Sequence, residues 1–307
     1  MNNNIIETER LSRRFGRHEA VCDLTFAVPR GSVCALLGAN GAGKSTTIKL
    51  LMDLERPTSG AARVLGVDAR KLGEAERRGI GYVAESQQLP LWMTVRQLLD
   101  YCRPFYPAWD RALEKKLLKD FDLPEERKLS QLSRGMLMKA ALLSSLAYRP
   151  KLLVLDEPFS GLDPLVREEF VRGLLEVSAA EEWTVLVSSH EIEEVERLCD
   201  RVVLLEAGRK RIDETTEALL ARFRRVEVTG GDTAAGNIAA ASESWLEVER
   251  AGQLVRFIET RYEPGETERA CRDYFRAETV TARPMKLREI FVTLARLNRN
   301  QTQGAAA

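Results

Sequence analysis

Apolar positions gather in short unbroken runs over the first two hundred residues: Val33-Cys34-Ala35-Leu36-Leu37, Ile80-Gly81-Tyr82-Val83-Ala84, Leu152-Leu153-Val154-Leu155, Trp183-Thr184-Val185-Leu186-Val187 and Val202-Val203-Leu204-Leu205. Runs this short, bounded by turn residues, predict fully buried strands. Helical spacing over 164–178 and 190–199 separates the later ones. Strands alternating with helices imply a mostly parallel sheet covered on both faces. Ahead of it, residues 5–10 and 20–28 flank the turn-rich Phe15-Gly16-Arg17-His18 and predict antiparallel strands. Pro57-Thr58-Ser59-Gly60 reads as a turn before a short strand, Ala62–Leu65.

Between Glu85 and Pro150 the pattern turns helical. Thr94-Val95-Arg96-Gln97 is a capping box, and Asp110 is placed to cap a helix whose Leu113, Leu117, Leu118 and Phe121 share one face. A third helix is predicted over 133–148, ended by Arg149-Pro150. Past Asp213 the pattern changes again. Segments 225–228, 245–248 and 254–258 alternate as half-exposed strands, and 230–243, rich in Gly, Ala and Ser, reads as a flexible connection. Residues 266–277 look helical, and Leu287, Ile290, Phe291, Leu294 and Leu297 mark a last helix.

Composition narrows the classes. Lys+Arg and Asp+Glu balance at 46 each in 307 residues, so no net field favours nucleic acid. Cys22, Cys34, Cys102, Cys199 and Cys271 are odd in number and scattered, which predicts free thiols in a reducing compartment rather than a metal site. No apolar run approaches the ~18 residues of a membrane span, and the first residues lack the form of a secretion signal. A soluble intracellular chain is expected, with any membrane spans supplied by another polypeptide.

The chemistry concentrates in Gly38-Ala39-Asn40-Gly41-Ala42-Gly43-Lys44-Ser45-Thr46, which fits the phosphate-binding loop Gly-x-x-x-x-Gly-Lys-[Ser/Thr]. The glycines let successive N–H groups face one concavity. Lys44 offers charge to β- and γ-phosphates, Ser45 a hydroxyl to Mg²⁺, and the helix from Thr46 its positive end. Leu152–Leu155 then delivers Asp156 and Glu157 at a strand's carboxyl end, where α/β sheets place ligands. Asp156 suits Mg²⁺, directly or through water, and Glu157 suits a general base for the attacking water. His190, after a neighbouring strand, would be aimed at the γ-phosphate.

On these residues the chain resembles the ATP-binding cassette (ABC) family, specifically the ATPase subunit of a transporter. The phosphate loop corresponds to Walker A and Leu152–Glu157 to Walker B. Ser160-Gly161-Leu162-Asp163 is similar to the D-loop, His190 to the switch histidine, and Leu132-Ser133-Arg134-Gly135-Met136 to the signature. The match covers about 5–212 in the expected order. The resemblance implies that Phe15 stacks on adenine, that Asn40, Ala42, Glu85 and Asp163 contact nucleotide, and that Glu85, with Ser45 and Asp156, serves the metal. Two cassettes would face head to tail, Ser133 and Gly135 of one completing the other's site.

Three positions depart from the family pattern, two in the signature and one in the Q-loop. The signature usually reads Leu-Ser-Gly-Gly-Gln, and here Arg134 and Met136 replace the first Gly and the Gln. The Q-loop position holds Glu85, with Gln87 and Gln88 nearby as alternatives for its role. The apolar cluster Leu89, Leu91, Trp92 and Met93 suits either a docking groove or simple packing between subdomains.

The expected fold class is α/β: a P-loop NTPase (ABC ATPase) with an antiparallel β subdomain and a helical insertion, plus a small C-terminal α+β accessory domain. Boundaries are 1–212 for the ATPase domain (helical subdomain about 88–148), 213–298 for the accessory domain, and a disordered tail at 299–307. The expected function is an ATP-hydrolysing transporter subunit of exporter type, with ATP and Mg²⁺. It would dimerise, a homodimer being favoured over a heterodimer, and drive a separate multispanning permease from the cytoplasmic face of the cell membrane, with no nucleic acid. The alternative is a soluble, non-transport ABC ATPase of DNA repair or translation.

Overall fold

The computed structural model describes residues 3–85, 87–164, 166–172, 183–230 and 242–304, with the side chains of residues 194 and 297–304 undescribed. The chain divides into two compact units, Met1–Asp213 and Glu214–Ala307.

The first unit carries strands β1 (Asn4–Phe15), β2 (His18–Leu24), β3 (Ala27–Pro29), β4 (Val33–Leu37), β5 (Ser59–Val64), β6 (Val67–Asp68), β7 (Ile80–Val83), β8 (Leu152–Asp156), β9 (Thr184–Ser189), β10 (Arg201–Glu206) and β11 (Arg209–Thr215). Six form one sheet in the order β11-β10-β4-β9-β8-β7, parallel from β10 across to β7. Every residue of β4, β8 and β9 is buried, as expected when both faces of a parallel sheet are covered. The order puts β8 beside β9 and β9 beside β4, although over a hundred residues separate β4 from β8. A second, antiparallel sheet runs β2-β1-β5-β6, with β3 also paired to β1.

The helical insertion holds helices Val95–Cys102, Arg111–Asp120 and Arg134–Leu146. The capping box forms: Gln97 N donates to Thr94 Oγ1 at 3.2 Å and Thr94 N to Gln97 Oε1 at 2.9 Å. Asp110 Oδ1 accepts from Ala112 N at 2.7 Å and Leu113 N at 3.0 Å, while Arg149 grips its Oδ2. These backbone bonds, with the Arg149 guanidinium, hold the Asp110 carboxyl below the usual carboxylate range. Tyr148 fastens the insertion to the sheet, stacking on Tyr106 at 3.7 Å between centroids and donating its hydroxyl to Ile80 O at 2.8 Å.

Some elements differ from the sequence reading. The predicted helix over 190–199 is one turn, Ile192–Val195. Asp200 draws the chain back to the sheet, donating its N–H to Val33 O at 2.8 Å and accepting Val33 N at 2.8 Å. Of the predicted helix 164–178, residues 166–172 are helical and 173–178 lie outside the described residues, as does most of 230–243.

In the second unit β12 (Arg224–Thr229), β13 (Trp245–Ala251), β14 (Leu254–Glu259) and β15 (Thr279–Pro284) form an antiparallel sheet ordered β13-β14-β12-β15. Helix Glu266–Phe275 packs Cys271 and Phe275 onto Val226, Val228, Val255 and Phe257, and Trp245 stacks on Phe257 at 4.3 Å. β15 is absent from the sequence reading, because Thr279–Pro284 is half polar and pairs only in the fold. The last helix runs Leu287–Gly304, beyond residue 298, where the sequence reading placed a disordered tail: its apolar stripe sets the helix on the core side, and the polar turns continue it.

Candidate functional site

The phosphate loop joins β4 to helix Lys44–Leu51. Two of its glycines are obligatory for packing as well as conformation. A Cβ on Gly38 (φ 154°) would lie 2.4 Å from Leu205 O, and one on Gly43 (φ 102°) 2.4 Å from Ala20 O. The loop therefore nests against β10 and β2, which sets its concavity before any ligand arrives.

Parallel pairing of β8 with β9, and of β9 with β4, brings the acidic strand end to this loop. Asp156 pairs with Ser188 in register. Its Oδ1 accepts from Ser188 Oγ at 2.7 Å and from Ser45 Oγ at 3.0 Å. Burial pushes the Asp156 carboxyl up, a trend the two hydroxyls oppose and the charges of Glu157 and Glu85 reinforce. A cation beside it would reverse that trend.

Glu157 has φ 51°, in the left-handed region that non-glycine residues rarely adopt. Ser188 Oγ accepts its N–H at 2.9 Å and holds that turn. Glu157 is 6% exposed, and its carboxylate lies between Lys44 Nζ, 3.0 Å from Oε1, and the His190 ring, with Nδ1 2.7 Å from Oε2. Lys44, 5% exposed, also donates to Gly38 O at 2.7 Å and Ala39 O at 3.2 Å. A buried carboxylate is tolerated only with such compensation.

A cleft of about 360 Å³ opens over this cluster, lined by Phe15, His18, Ala20, Asn40, Gly41, Gly43, Lys44, Ser45, Thr46, Glu85 and Glu157. Phe15 is 42% exposed, with the Arg13 guanidinium 4.4 Å from its ring centroid on one side. Ala42 is buried in the loop, and Asp156 and His190 stand behind the lining, one hydrogen bond from Ser45 and Glu157 respectively. Ser133, Gly135 and Asp163 do not line this cleft. Ser133 is exposed and caps helix Arg134–Leu146, accepting Met136 N at 3.2 Å. Gly135 is buried, and a Cβ there would lie 2.5 Å from Val166 Cγ1, so any larger residue would have to displace the Val166 side chain. Asp163 accepts Val166 N at 3.1 Å, a capping role.

Sequence reasoning gave no site role to Ser188 or His18, and named Ser160 only within the D-loop. Ser188 carries no motif of its own; only the β8–β9 register reveals that it holds both acidic residues. Ser160 donates its hydroxyl to Glu85 Oε1 at 3.1 Å, joining the segment after β8 to the residue after β7. Among the described residues no group of three or more His, Cys, Asp or Glu side chains could by itself hold a metal ion, and no helix is long and apolar enough to cross a membrane. The cysteines are free thiols.

Residues 21–160 match the family model described as ABC transporter. The chain is similar to the Nod factor export ATP-binding protein I of Rhizobium leguminosarum bv. viciae, at 37% identity over 74% of this chain and 75% of that one. It is also similar to the probable multidrug ABC transporter ATP-binding protein YbhF of Escherichia coli (37% identity, 71% of this chain), of whose length it spans only 38%. Among solved structures, the ATP-binding subunit of an ABC transporter superposes with a TM-score of 0.64 at 31% identity, covering 71% of this chain and 92% of that one.

Proposed function

Since the chain belongs to the ABC transporter family, we propose that it binds and hydrolyses ATP as the nucleotide-binding subunit of an exporter. One observation carries the reading: Lys44 and Ser45 of the phosphate loop are joined directly to Glu157 and Asp156 of β8. Phosphate recognition and a candidate water-activating carboxylate thus share one buried cluster.

In this reading Phe15 offers its open face to the adenine, and the N–H groups from Asn40 to Thr46 receive the phosphates. Lys44 moves its charge from Glu157 to the β- and γ-phosphates, which frees the Glu157 carboxylate to take a proton from water. His190, already 2.7 Å from Glu157, orients that carboxylate and adds a donor near the γ-phosphate. The donor set fits Mg²⁺: Ser45 Oγ and Asp156 Oδ1 are hard oxygens 3.0 Å apart, and Mg²⁺ is usually bound by one or two carboxylates plus substrate phosphates. Bound there, it would neutralise charge developing on the phosphates. Glu85 lines the same cleft and could take part through its carboxylate or through a water.

Ser133 and Gly135 lie outside their own chain's cleft, at the positive end of a 13-residue helix. They would meet nucleotide only if supplied to a second cassette, which supports a head-to-tail dimer, here taken as a homodimer. The membrane path would belong to a separate permease at the cytoplasmic face of the membrane, docking over Glu85, Leu89 and Leu91. Export is the direction named for the Rhizobium relative.

The test is ATP turnover by the purified chain with and without Mg²⁺, alone and after co-purification from membranes. Mg²⁺-dependent hydrolysis that changes rate with a co-purifying multispanning protein is expected. An active chain with no membrane partner would favour a soluble, non-transport ATPase, and an inactive one would refute hydrolysis.

A further inference from the structure

The two charged departures from the family pattern, Glu85 and Arg134, are 49 residues apart in sequence and of opposite charge. In the fold they reach adjacent residues of one turn. Ser160 Oγ donates to Glu85 Oε1 at 3.1 Å. At the next residue, Gly161 (φ 70°), a Cβ would lie 2.5 Å from Arg134 Nη1 and 2.8 Å from its Cζ, so the guanidinium rests directly against the Gly161 backbone. Both side chains line one groove of about 480 Å³, together with Gln87, Leu89, Leu137 and Met138.

The turn they grip follows the acidic strand end without a break. Ser160 N donates to Glu157 O at 3.1 Å, and Leu162 N to Phe159 O at 3.1 Å. Ser160 therefore cannot shift without moving the backbone of Glu157, whose left-handed conformation already depends on a single acceptor, Ser188 Oγ. Glu85 holds the turn from the strand side, immediately beyond β7. Arg134 holds it from the helical insertion, as the first residue of helix Arg134–Leu146.

We infer that Glu85 and Arg134 are a linked charge pair that positions the Ser160–Gly161 turn, and through it the carboxylate of Glu157; this rests on the reading of Glu157 as the hydrolytic base. The acid adds negative charge beside the phosphates and the base adds positive charge on the other side of the same turn. Opposite charges this placed attract across the turn, and loss of either leaves the other without its counterpart. Among the described residues neither forms a salt bridge, with the other or with a third residue, so any coupling runs across the turn and along the groove they share. Arg134 is a positioning residue: it does not line the nucleotide cleft, and its influence on hydrolysis passes through Gly161 and Ser160. Glu85 lines that cleft as well, so only the coupling between the two variants, not the loss in Glu85→Gln alone, reports the pair.

The test compares the full chain as wild type, Glu85→Gln, Arg134→Gln and the double variant, for ATP turnover and for the midpoint of thermal unfolding. Each single change is expected to lower kcat about three- to tenfold. The double is expected to lose at least about twofold less than the product of the single losses, the low end of coupling between residues of one network. Reversing the pair, Glu85→Arg with Arg134→Glu, should restore kcat relative to either reversed single variant, which loss of a merely structural contact would not do. Multiplicative losses, and a reversed pair no better than its singles, would overturn the inference. The unfolding midpoints read the same coupling without activity: non-additive shifts support the pair and additive shifts refute it. A wild-type chain that does not hydrolyse ATP would instead sink the assignment of Glu157, leaving the pair to be judged on the midpoints.

Discussion

The two halves of the proposed nucleotide site are built in opposite ways. Around β8 the acidic groups are buried and already partnered: Glu157 sits between Lys44 and His190, and Asp156 accepts from the Ser45 and Ser188 hydroxyls. At the start of helix Arg134–Leu146, Ser133 is exposed and its only described side-chain bond is the local cap to Met136 N. The first half is preorganised within one chain, because a buried carboxylate without partners would not be tolerated. The second half is inexpensive to leave in water and acquires a function only when another surface covers it. In the proposed reading, a site divided this way would bind nucleotide in a single copy and need two copies to hydrolyse it.

Three substitutions break or sharpen that contrast, in decreasing order of effect. Glu157→Gln removes the proposed base while keeping its shape, so turnover should fall by about 10²–10⁴, the range for general-base catalysis. Nucleotide binding should survive, and single-turnover assays with an equilibrium titration would show it; turnover within twofold of wild type would remove Glu157 from the mechanism. Ser133→Glu places a carboxylate where a second cassette's γ-phosphate would approach. Turnover is expected to drop by roughly tenfold or more, since a like charge there opposes the contact, while ATP affinity of the isolated chain stays within about twofold. Equal loss of affinity would mean that Ser133 serves its own chain's cleft and that the division between halves is wrong. Ser188→Ala tests the buried half from behind: it strips Asp156 of one donor and Glu157 N–H of its acceptor. An unfolding free energy lower by about 1–3 kcal/mol is expected, the cost of buried polar groups left unsatisfied; an unchanged midpoint in thermal unfolding would show that the strand end does not depend on Ser188.

Legibility followed the same division. The phosphate loop, the acidic strand end and the helix caps at Thr94 and Asp110 were readable because each is a local device, whose residues act within a few positions of one another. The one-turn helix at Ile192–Val195 and the β15 edge strand were misread because distant partners decide them: Asp200 reaching Val33, and Thr279–Pro284 pairing with β12. Gly135 shows a role that no motif carries: besides its place in the signature, it packs against Val166, where a Cβ would lie 2.5 Å from Cγ1.

By itself, the sequence determined which short runs would be buried and where the phosphate loop and its two carboxylates would lie along a strand. Side-chain chemistry and turn conformation act over a few residues, so no knowledge of the fold is needed to read them. Only the tertiary structure decided that β9 lies between β4 and β8, and hence that Ser188 serves Asp156 and that Lys44 faces Glu157. It also decided that Glu85 and Arg134 meet at one turn. Strand order and register depend on summed burial across the whole sheet, and no stretch of residues carries that sum alone.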